Sequence, residues 1–267
     1  MRPAPVTRIA GALPDAARVV PATPASLDGA DATCPEATRA LLDAARRLGT
    51  PLGYAREQRG RLVQDIFPIR RLATEQVSSS SAVQLGLHTE TAFHPWPPRW
   101  VVLLCLRGDP GAATVWADVD EAVAAMDPRH VATLGEPTFR SEIDPSFCLD
   151  GGAPVLTDVV PLVRTGDGWR LTFDRLGTRA TDARGAEALE ALGLALEAHV
   201  RSVVLASGDL LVIDNHRAVH GRAPFRARWD GTDRWLRRAL VFDDLPPADQ
   251  LDGHVITTRF DAPLGVG

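Results

Sequence analysis

Short apolar segments separated by turn-forming residues make up most of this sequence. Helical spacing of apolar residues is strong at only two places, 34–49 and about 182–205. Six segments rich in Val, Leu and Ile are typical of strands: 62–69, 100–106, 154–163, 169–173, 209–214 and 236–242. Such irregularly spaced strands do not alternate with helices as a parallel sheet requires. We therefore predict a mainly β fold with flanking helices, a distorted jelly roll (double-stranded β-helix).

The domain organisation follows from length and from the absence of a linker-like stretch. A chain of 267 residues is long enough to bury a sizeable core and is compatible with a single domain. Residues 1–33 are rich in Pro and Ala with weak periodicity, which predicts an extended N-terminal arm. We predict one domain over 1–267, with its core over about residues 50–245.

Charge and cysteine content exclude several classes of protein. The net charge of −5 leaves no basic surface for a phosphate backbone, so we expect no nucleic-acid partner. Cys34, Cys105 and Cys148 are too few and too far apart for a disulfide framework, which fits a reducing compartment. The N-terminus lacks a long apolar stretch, and no run of about 18 apolar residues occurs. We expect a cytoplasmic protein that does not bind membranes.

Candidate metal ligands occur in two separate motifs. The segment "LHTETAFHPW" places His88 and Glu90 two residues apart, which on an extended strand directs both side chains to one face. A His-x-Glu pair alone is a weak signal. The segment "GDLLVIDNHRAVHGRAPF" adds His216 and His220 after a strand that ends near Asn215. Two imidazoles and one carboxylate are what a non-heme Fe(II) oxygenase requires.

An arginine follows the candidate ligands in the sequence. Arg234 follows His220 by fourteen residues and stands at the start of another predicted strand. An arginine directed into a barrel is costly unless it meets a carboxylate, which its planar fork binds in a bidentate manner. This pattern predicts that a carboxylate-bearing ligand binds next to the metal.

Three segments, in this order, resemble the clavaminate synthase-like family of Fe(II)/2-oxoglutarate oxygenases. They read "HTETAFHPWPPRWVVLLCLRGD", "DNHRAVHGRAPF" and "RWDGTDRWLRR", and the resemblance extends over about residues 50–245. The Glu of the HTE tripeptide is the more specific part, since most of the wider superfamily has Asp there. The resemblance implies an oxygenase near the arginine, lysine and asparagine hydroxylases of antibiotic pathways.

The resemblance also assigns the metal and cosubstrate residues. By motif position, His88, Glu90 and His220 would bind Fe(II), and 2-oxoglutarate and O2 would complete the reaction centre. Arg234 would hold the distal carboxylate of 2-oxoglutarate, and Thr114 in "AATVW" resembles the hydroxyl residue at the same end. His216 is the alternative to His220 as third ligand.

The substrate contacts follow in the same way. Arg238 resembles the arginine that binds the α-carboxylate of an amino acid, and Gln58 and Ser78 resemble residues that contact its backbone groups. Glu90 would face the substrate as well as the metal. Asp174 in "LTFDRL" is the candidate for contacting a cationic side chain, although no doubled acidic clamp is evident around it.

Alternative functions remain open at this level. Hydroxylation is the default outcome, and the same chemistry supports oxidative cyclisation or desaturation. The substrate is an amino acid or a derivative, free or tethered to a carrier protein. A zinc-dependent hydrolase with the same three ligands, and a non-catalytic jelly-roll binding protein, are the alternatives of other classes. The segment 136–152 is either a lid or an ordinary loop, and Arg237 is expected on a solvated strand face.

Overall fold

The computed structural model describes residues 2–13, 20–28, 33–144, 147, 155–166, 168–258 and 260. Cys148, parts of the predicted N-terminal arm and much of the proposed lid over 136–152 lie outside these residues. No helix within the described part of the chain is long and apolar enough to cross a bilayer.

Strands dominate the described residues, as the sequence predicts. The strands are β1 (Val6–Ile9), β2 (Thr50–Pro51), β3 (Gly53–Tyr54), β4 (Gln64–Ile66), β5 (Leu85–His88), β6 (Trp100–Arg107), β7 (Thr114–Asp118), β8 (Phe139–Glu142), β9 (Leu156–Val159), β10 (Leu162–Thr165), β11 (Gly168–Leu171), β12 (Thr178–Ala180), β13 (Arg201–Val203), β14 (Leu210–Asp214), β15 (Ala218–Arg222), β16 (Trp235–Phe242), β17 (Leu251–Asp252) and β18 (Val255–Ile256). The α-helices are α1 (Pro35–Arg46), α2 (Val119–Ala124), α3 (Pro128–Leu134) and α4 (Ala183–Ala198).

Two antiparallel sheets form the central layers. The larger sheet has the order β1-β14-β6-β16-β2, and β4 also pairs with β16. The smaller sheet has the order β13-β7-β15-β5. Residues of both sheets share one apolar cluster, with Leu103 and Leu236 from the larger sheet and Ala218 from the smaller. This arrangement of two opposed antiparallel sheets is the predicted jelly roll.

Strand alternation decides which side chains point between the sheets. On β6, Leu103 packs in the cluster between the sheets, whereas its neighbours Val102 and Leu104 pack beneath α1 with Leu41. A strand buried on both faces is apolar throughout, which is why β6 was easy to predict.

The smaller sheet has the same two-sided character. Leu87 of β5 and Val219 of β15 pack with Leu192 and Leu196 of α4 on its outer face. Since side chains alternate along a strand, the neighbours of Leu87 and Val219 point to the opposite, inner face. The outward apolar residues of β5 and β15 therefore orient the polar residues that follow them into the space between the sheets.

The second long helix is shorter than predicted. Periodicity suggested a helix from about 182 to 205 with Val200 and Val203 on its apolar face, but α4 ends at Ala198. Residues Arg201–Val203 instead form β13, which pairs antiparallel with β7. Val203 of β13 packs against the apolar cluster between the sheets, and a β-branched residue suits such a pleated edge better than a further helical turn. Likewise, the predicted arm contains a strand, because β1 pairs with β14.

The expectation that Arg237 lies on a solvated strand face is wrong. Its side chain has no solvent exposure, and its Nε lies 3.0 Å from Asp65 Oδ1. Its Nη1 donates to the Cys34 carbonyl oxygen at 2.8 Å and to Thr38 Oγ1 at 2.7 Å. Arg237 therefore fastens the start of α1 to the outer face of β16. Strand alternation correctly predicts which face of β16 Arg237 lies on, but it does not predict that α1 covers this face.

Candidate metal centre and active-site cavity

Three predicted ligands converge between the two sheets. His88, Glu90 and His220 each offer a ligand atom, and these atoms lie within 4.8 Å of one another. His88 is the last residue of β5 and pairs directly with His220 of β15. Their ring centroids are 4.5 Å apart. The inward direction of both imidazoles follows from Leu87 and Val219, which face outward.

Glu90 reaches the site by a different route from the one predicted. The strand ends at His88, so Glu90 lies in the following turn and not on the extended segment expected from the spacing. Thr91, next in the chain, has a left-handed backbone with φ of 50°. This conformation is uncommon for a β-branched residue. The turn, not strand alternation, brings the Glu90 carboxylate to the two imidazoles.

Asn215 holds the backbone of Glu90 from across the fold. The Glu90 N–H donates to Asn215 Oδ1 at 2.7 Å, and Asn215 Nδ2 donates to the Glu90 carbonyl oxygen at 3.3 Å. The same Nδ2 donates to the Pro98 carbonyl oxygen at 2.9 Å. Asn215 is 1% exposed, so these bonds are shielded from water. One amide side chain thus fixes both peptide groups of a predicted metal ligand.

Substitution of Asn215 by Ala is expected to weaken Fe(II) binding by about 10- to 100-fold, the usual cost of losing a group that orients a ligand. The three ligand side chains stay in place in this variant. Equilibrium titration of Fe(II) under anaerobic conditions measures the effect. Asn215→Asp is the matched variant, since it retains the acceptor for the Glu90 N–H and should lose less affinity. Equal affinity for the wild type and Asn215→Ala would contradict the orienting role.

The ionisation of the three groups suits a divalent metal. Burial alone would raise the pKa of Glu90, but Arg238 and His220 outweigh it and hold that pKa well below its ordinary value. Burial, assisted by His88, lowers the pKa of His220, which favours a neutral imidazole with a lone pair. His88 Nδ1 donates to the Gly86 carbonyl oxygen at 2.8 Å, which leaves its Nε2 free to coordinate. Two imidazoles and one carboxylate fit Fe(II).

The predicted 2-oxoglutarate residues, Arg234 and Thr114, lie together and are both buried. Arg234 Nη2 donates to Thr114 Oγ1 at 3.1 Å. Arg234 is 7% exposed, and burial lowers its pKa to about 10. Within the described residues, no carboxylate is close enough to form an ion pair with it. A buried guanidinium without a protein carboxylate suits a ligand that brings its own.

Arg238 lies on the inner face of β16 and contacts the metal-binding carboxylate. Its Nη1 donates to Glu90 Oε2 at 2.8 Å, its Nη2 pairs with Glu57, and its Nε donates to Gln64 Oε1 at 2.9 Å. Burial would lower the pKa of Arg238, but Glu57 and Glu90 raise it above its ordinary value. Burial raises the pKa of Glu57 despite the nearby Arg238. Arg238 is thus a permanently charged group between two acids.

A cavity of about 440 Å³ opens onto this centre. Its lining includes the predicted contacts Gln58, Ser78 and Asp174 together with His88, Glu90 and Arg238. The five acids that line it are Glu57, Glu90, Glu142, Asp144 and Asp174, and the arginine among its lining residues is Arg238. This cavity therefore has a strongly negative lining.

Gln58 and Asp174 are each held by their own surroundings. The Gln58 amide donates to the Asp65 carbonyl oxygen at 2.9 Å and accepts from the Asp65 N–H at 3.1 Å. Asp174 Oδ1 accepts from the N–H groups of Leu176 and Gly177 at 2.8 and 3.0 Å. Asp174 also forms a β-bridge with His88, which places it beside the metal centre.

His216, the alternative third ligand, lies elsewhere. Arg99 Nη1 is 3.0 Å from its Nδ1, and the same arginine forms an ion pair with Asp214 at 2.8 Å. Burial lowers the pKa of His216 to about 3. His216 is absent from the ligand cluster, whereas His220 belongs to it. The geometry therefore favours His220.

Several residues of the site carry no recognisable sequence signal. Glu57, Gln64, Glu142 and Asp144 come from three separate segments, and only the fold brings them to one cavity. Asn215 was visible only as the polar end of a strand. Asp144 follows β8 in a segment without an apolar run, and in the sequence it is indistinguishable from an ordinary turn residue.

Comparison with known proteins points to one family. Residues 32–240 match the family described as taurine catabolism dioxygenase TauD, TfdA family. An L-lysine 3-hydroxylase of Catenulispora acidiphila is 36% identical over 252 residues, which cover 91% of this chain and 70% of the relative.

Solved structures agree with this family match. An asparagine oxygenase in complex with Fe(II), 3-hydroxyasparagine and succinate superposes with a TM-score of 0.86 and 32% identity, covering 95% of this chain and 80% of the other. The non-heme iron oxygenase OrfP in complex with Fe, succinate and (3S)-hydroxy-L-Arg gives a TM-score of 0.80 and 31% identity, covering 90% and 78%. The predicted jelly-roll fold is confirmed by these neighbours.

Proposed function

Because this chain belongs to the TauD/TfdA family of Fe(II)/2-oxoglutarate-dependent dioxygenases, we propose that it hydroxylates an unactivated carbon of a free amino acid with a basic side chain. The proposal rests above all on the acidic lining of the cavity beside the metal centre. Similarity to a hydroxylase named for lysine, and to the oxygenase OrfP in complex with (3S)-hydroxy-L-Arg, supports the same substrate class.

His88, Glu90 and His220 would hold Fe(II), and Arg234 with Thr114 would hold the distal carboxylate of 2-oxoglutarate. Iron together with 2-oxoglutarate and O2 supplies the oxidant that removes hydrogen from an unactivated carbon. The chain itself binds and orients the reactants. Its buried inner strands keep bulk water from this centre, since Glu90 and His220 are each only 7% exposed.

Two paired charged groups that line the cavity, Arg238 and Glu57, match the backbone of an amino acid. We assign the α-carboxylate to Arg238, whose charge is secured by its acidic neighbours. Glu57, which pairs with Arg238 and lines the cavity, is placed to accept the α-ammonium group. An α-amino acid brings one positive and one negative group. The ion pair between Arg238 and Glu57 would then be replaced by two, Arg238 with the α-carboxylate and Glu57 with the α-ammonium group, and the net charge of the site would not change.

Three further acids, Glu142, Asp144 and Asp174, line the cavity and could bind the side chain of the substrate. Asp174 lies beside His88 at the metal centre, and Glu142 and Asp144 line the same cavity. Arg179 pairs with Glu142 at 3.0 Å and offsets one of these negative charges, but acids still outnumber arginines around the cavity. An ammonium or guanidinium group is the complementary side chain. We assign this group of acids the role of an acidic clamp, which the sequence around Asp174 does not indicate.

The proposed function is tested by succinate formation from 2-oxoglutarate with Fe(II), ascorbate and O2. The panel contains L-lysine, L-arginine and L-ornithine, with L-asparagine and L-leucine as uncharged comparisons. One of the basic amino acids is expected to stimulate turnover most, with a product heavier by one oxygen atom. A loss of two hydrogens would instead indicate desaturation or ring closure. Stimulation by L-leucine and not by any basic amino acid would contradict the proposal.

Asp174→Asn is expected to lower kcat/KM for the preferred basic amino acid by about tenfold to a hundredfold, the worth of one hydrogen bond to a charged group. Asn keeps the oxygen that caps the turn at Leu176 and Gly177, so the fold is retained. Asp158→Asn is the matched control, because Asp158 is largely exposed on β9 and does not line the cavity. An equal fall for basic and uncharged substrates would show that Asp174 does not recognise side-chain charge.

A further inference from the structure

A second cavity, of about 600 Å³, adjoins the one that opens onto the metal centre. Leu27 and Gln58 line both cavities, so the two are neighbours. The lining of the second cavity has the opposite charge, because its arginines are Arg59, Arg61, Arg70 and Arg71 and its acid is Asp28. We refer to this space as the arginine groove.

The arginine groove has a fixed wall. Gln58, Arg59 and Gly60 all have left-handed backbones, with φ of 42°, 62° and 75°. Such conformations are uncommon for non-glycine residues and persist where the surroundings enforce them. Here the Gln58 side chain bonds to both backbone groups of Asp65. The Arg59 side chain is exposed on this wall, and Arg70 lies 5.4 Å from the ring centre of Trp229.

The charge of the active-site cavity suits a basic substrate and opposes the cosubstrate. 2-Oxoglutarate is a dianion and the protein has a net charge of −5. Besides the candidate metal ligand Glu90, four acids line the cavity beside the metal centre, and Arg238 is the arginine among its lining residues. Its binding residue Arg234 is buried and therefore contributes little attraction at the surface. A dianion needs a positive surface next to the cavity mouth to approach quickly.

We propose that the arginine groove is the entry site for 2-oxoglutarate, where its guanidinium groups capture the dianion before it passes the acidic cavity to Arg234. This role rests on the proposed oxygenase function. It divides the surface by charge: the groove attracts the anionic cosubstrate, and the adjoining cavity attracts the cationic substrate. Long-range attraction of this kind raises an association rate and weakens steeply with salt.

The test is the rate at which 2-oxoglutarate binds the Fe(II)-loaded protein without O2 or amino acid, followed by stopped-flow absorption of the iron–2-oxo acid complex. Arg59→Gln/Arg71→Gln removes two positive charges from the groove. At an ionic strength of about 0.01 M, where the screening length is about 30 Å, its association rate is expected to fall by about fivefold. At about 1 M the two proteins are expected to bind equally fast. The dissociation rate is expected to stay unchanged.

Arg164→Gln/Arg170→Gln is the matched control, since it removes the same charge from the exposed β10–β11 hairpin, which does not line the groove. This control is expected to keep at least half of the wild-type association rate. An equal loss in both double variants, or no loss in either, would overturn the proposal that the groove is the entry site for 2-oxoglutarate. A groove that binds another anion, such as a phosphate on a carrier protein, would give this result. Failure of the wild type to bind 2-oxoglutarate would overturn the proposed function itself.

Discussion

His220→Ala is expected to abolish Fe(II) binding, whereas His216→Ala is expected to leave it intact. Removal of His220 leaves one imidazole and one carboxylate, which is one ligand short of the facial set that Fe(II) requires. His216 instead contacts Arg99, next to the Asp214 ion pair. Its loss therefore disturbs the end of β14 and not the metal centre.

Anaerobic titration with Fe(II) separates the two variants, and Co(II) absorption reports the ligand set independently of activity. The His220→Ala protein is expected to bind with at most about one hundredth of the wild-type affinity, in line with the loss of a direct ligand and not just an orienting group. Loss of metal binding in His216→Ala alone would show that the third ligand is His216. His220→Gln retains a similar volume and controls for packing.

Arg234→Gln is expected to weaken 2-oxoglutarate binding by roughly 30-fold to several thousand-fold. Removing one member of a buried, hydrogen-bonded charge pair costs about 2–5 kcal/mol, and each 1.4 kcal/mol corresponds to a factor of about ten. Thr114→Val removes a neutral partner at the same place and is expected to cost far less. Anaerobic binding titration of the Fe(II)-loaded proteins compares the two.

The ligand-free form of the same variant makes this prediction sharper. Within the described residues, Arg234 is a buried cation without a carboxylate partner, so replacing it by Gln is expected to leave the free energy of unfolding unchanged or higher. In Arg234→Gln, the affinity for 2-oxoglutarate is therefore expected to fall while the free energy of unfolding stays the same or rises. A variant that both unfolds more easily and keeps its affinity would show that Arg234 serves the fold and not the cosubstrate.

The predictability of the fold follows from how each element is buried. β6, β14 and β16 were predicted to within a residue or so, because strands covered on both sides are continuous apolar runs. The predicted end of α4 is wrong, because Val200 and Val203 continue the helical spacing past Ala198, whereas Arg201–Val203 pair with β7 as a strand. Arg237 was misjudged because its burial depends on α1, about two hundred residues earlier in the chain.

Some residues of the candidate site could be predicted from the sequence, and others could not. His88, Glu90, His220 and Arg234 stand in compact motifs, so the sequence alone predicts their cooperation, although the turn that delivers Glu90 was not foreseen. The acids of the cavity have no common motif, since they meet only when β8, the turn at Asp174 and the segment before β4 are folded together. Sequence therefore predicts the reaction centre better than the substrate.

This division has a practical consequence for engineering. The residues assigned to iron and 2-oxoglutarate lie on or within two residues of strands β5, β7, β15 and β16 of the two sheets, whereas Asp174 and Asp144 lie in connections between strands. Loops tolerate exchange better than buried strands. Libraries confined to the segments around Asp144 and Asp174 can therefore be screened for new amino-acid substrates while the residues assigned to iron and 2-oxoglutarate stay unchanged.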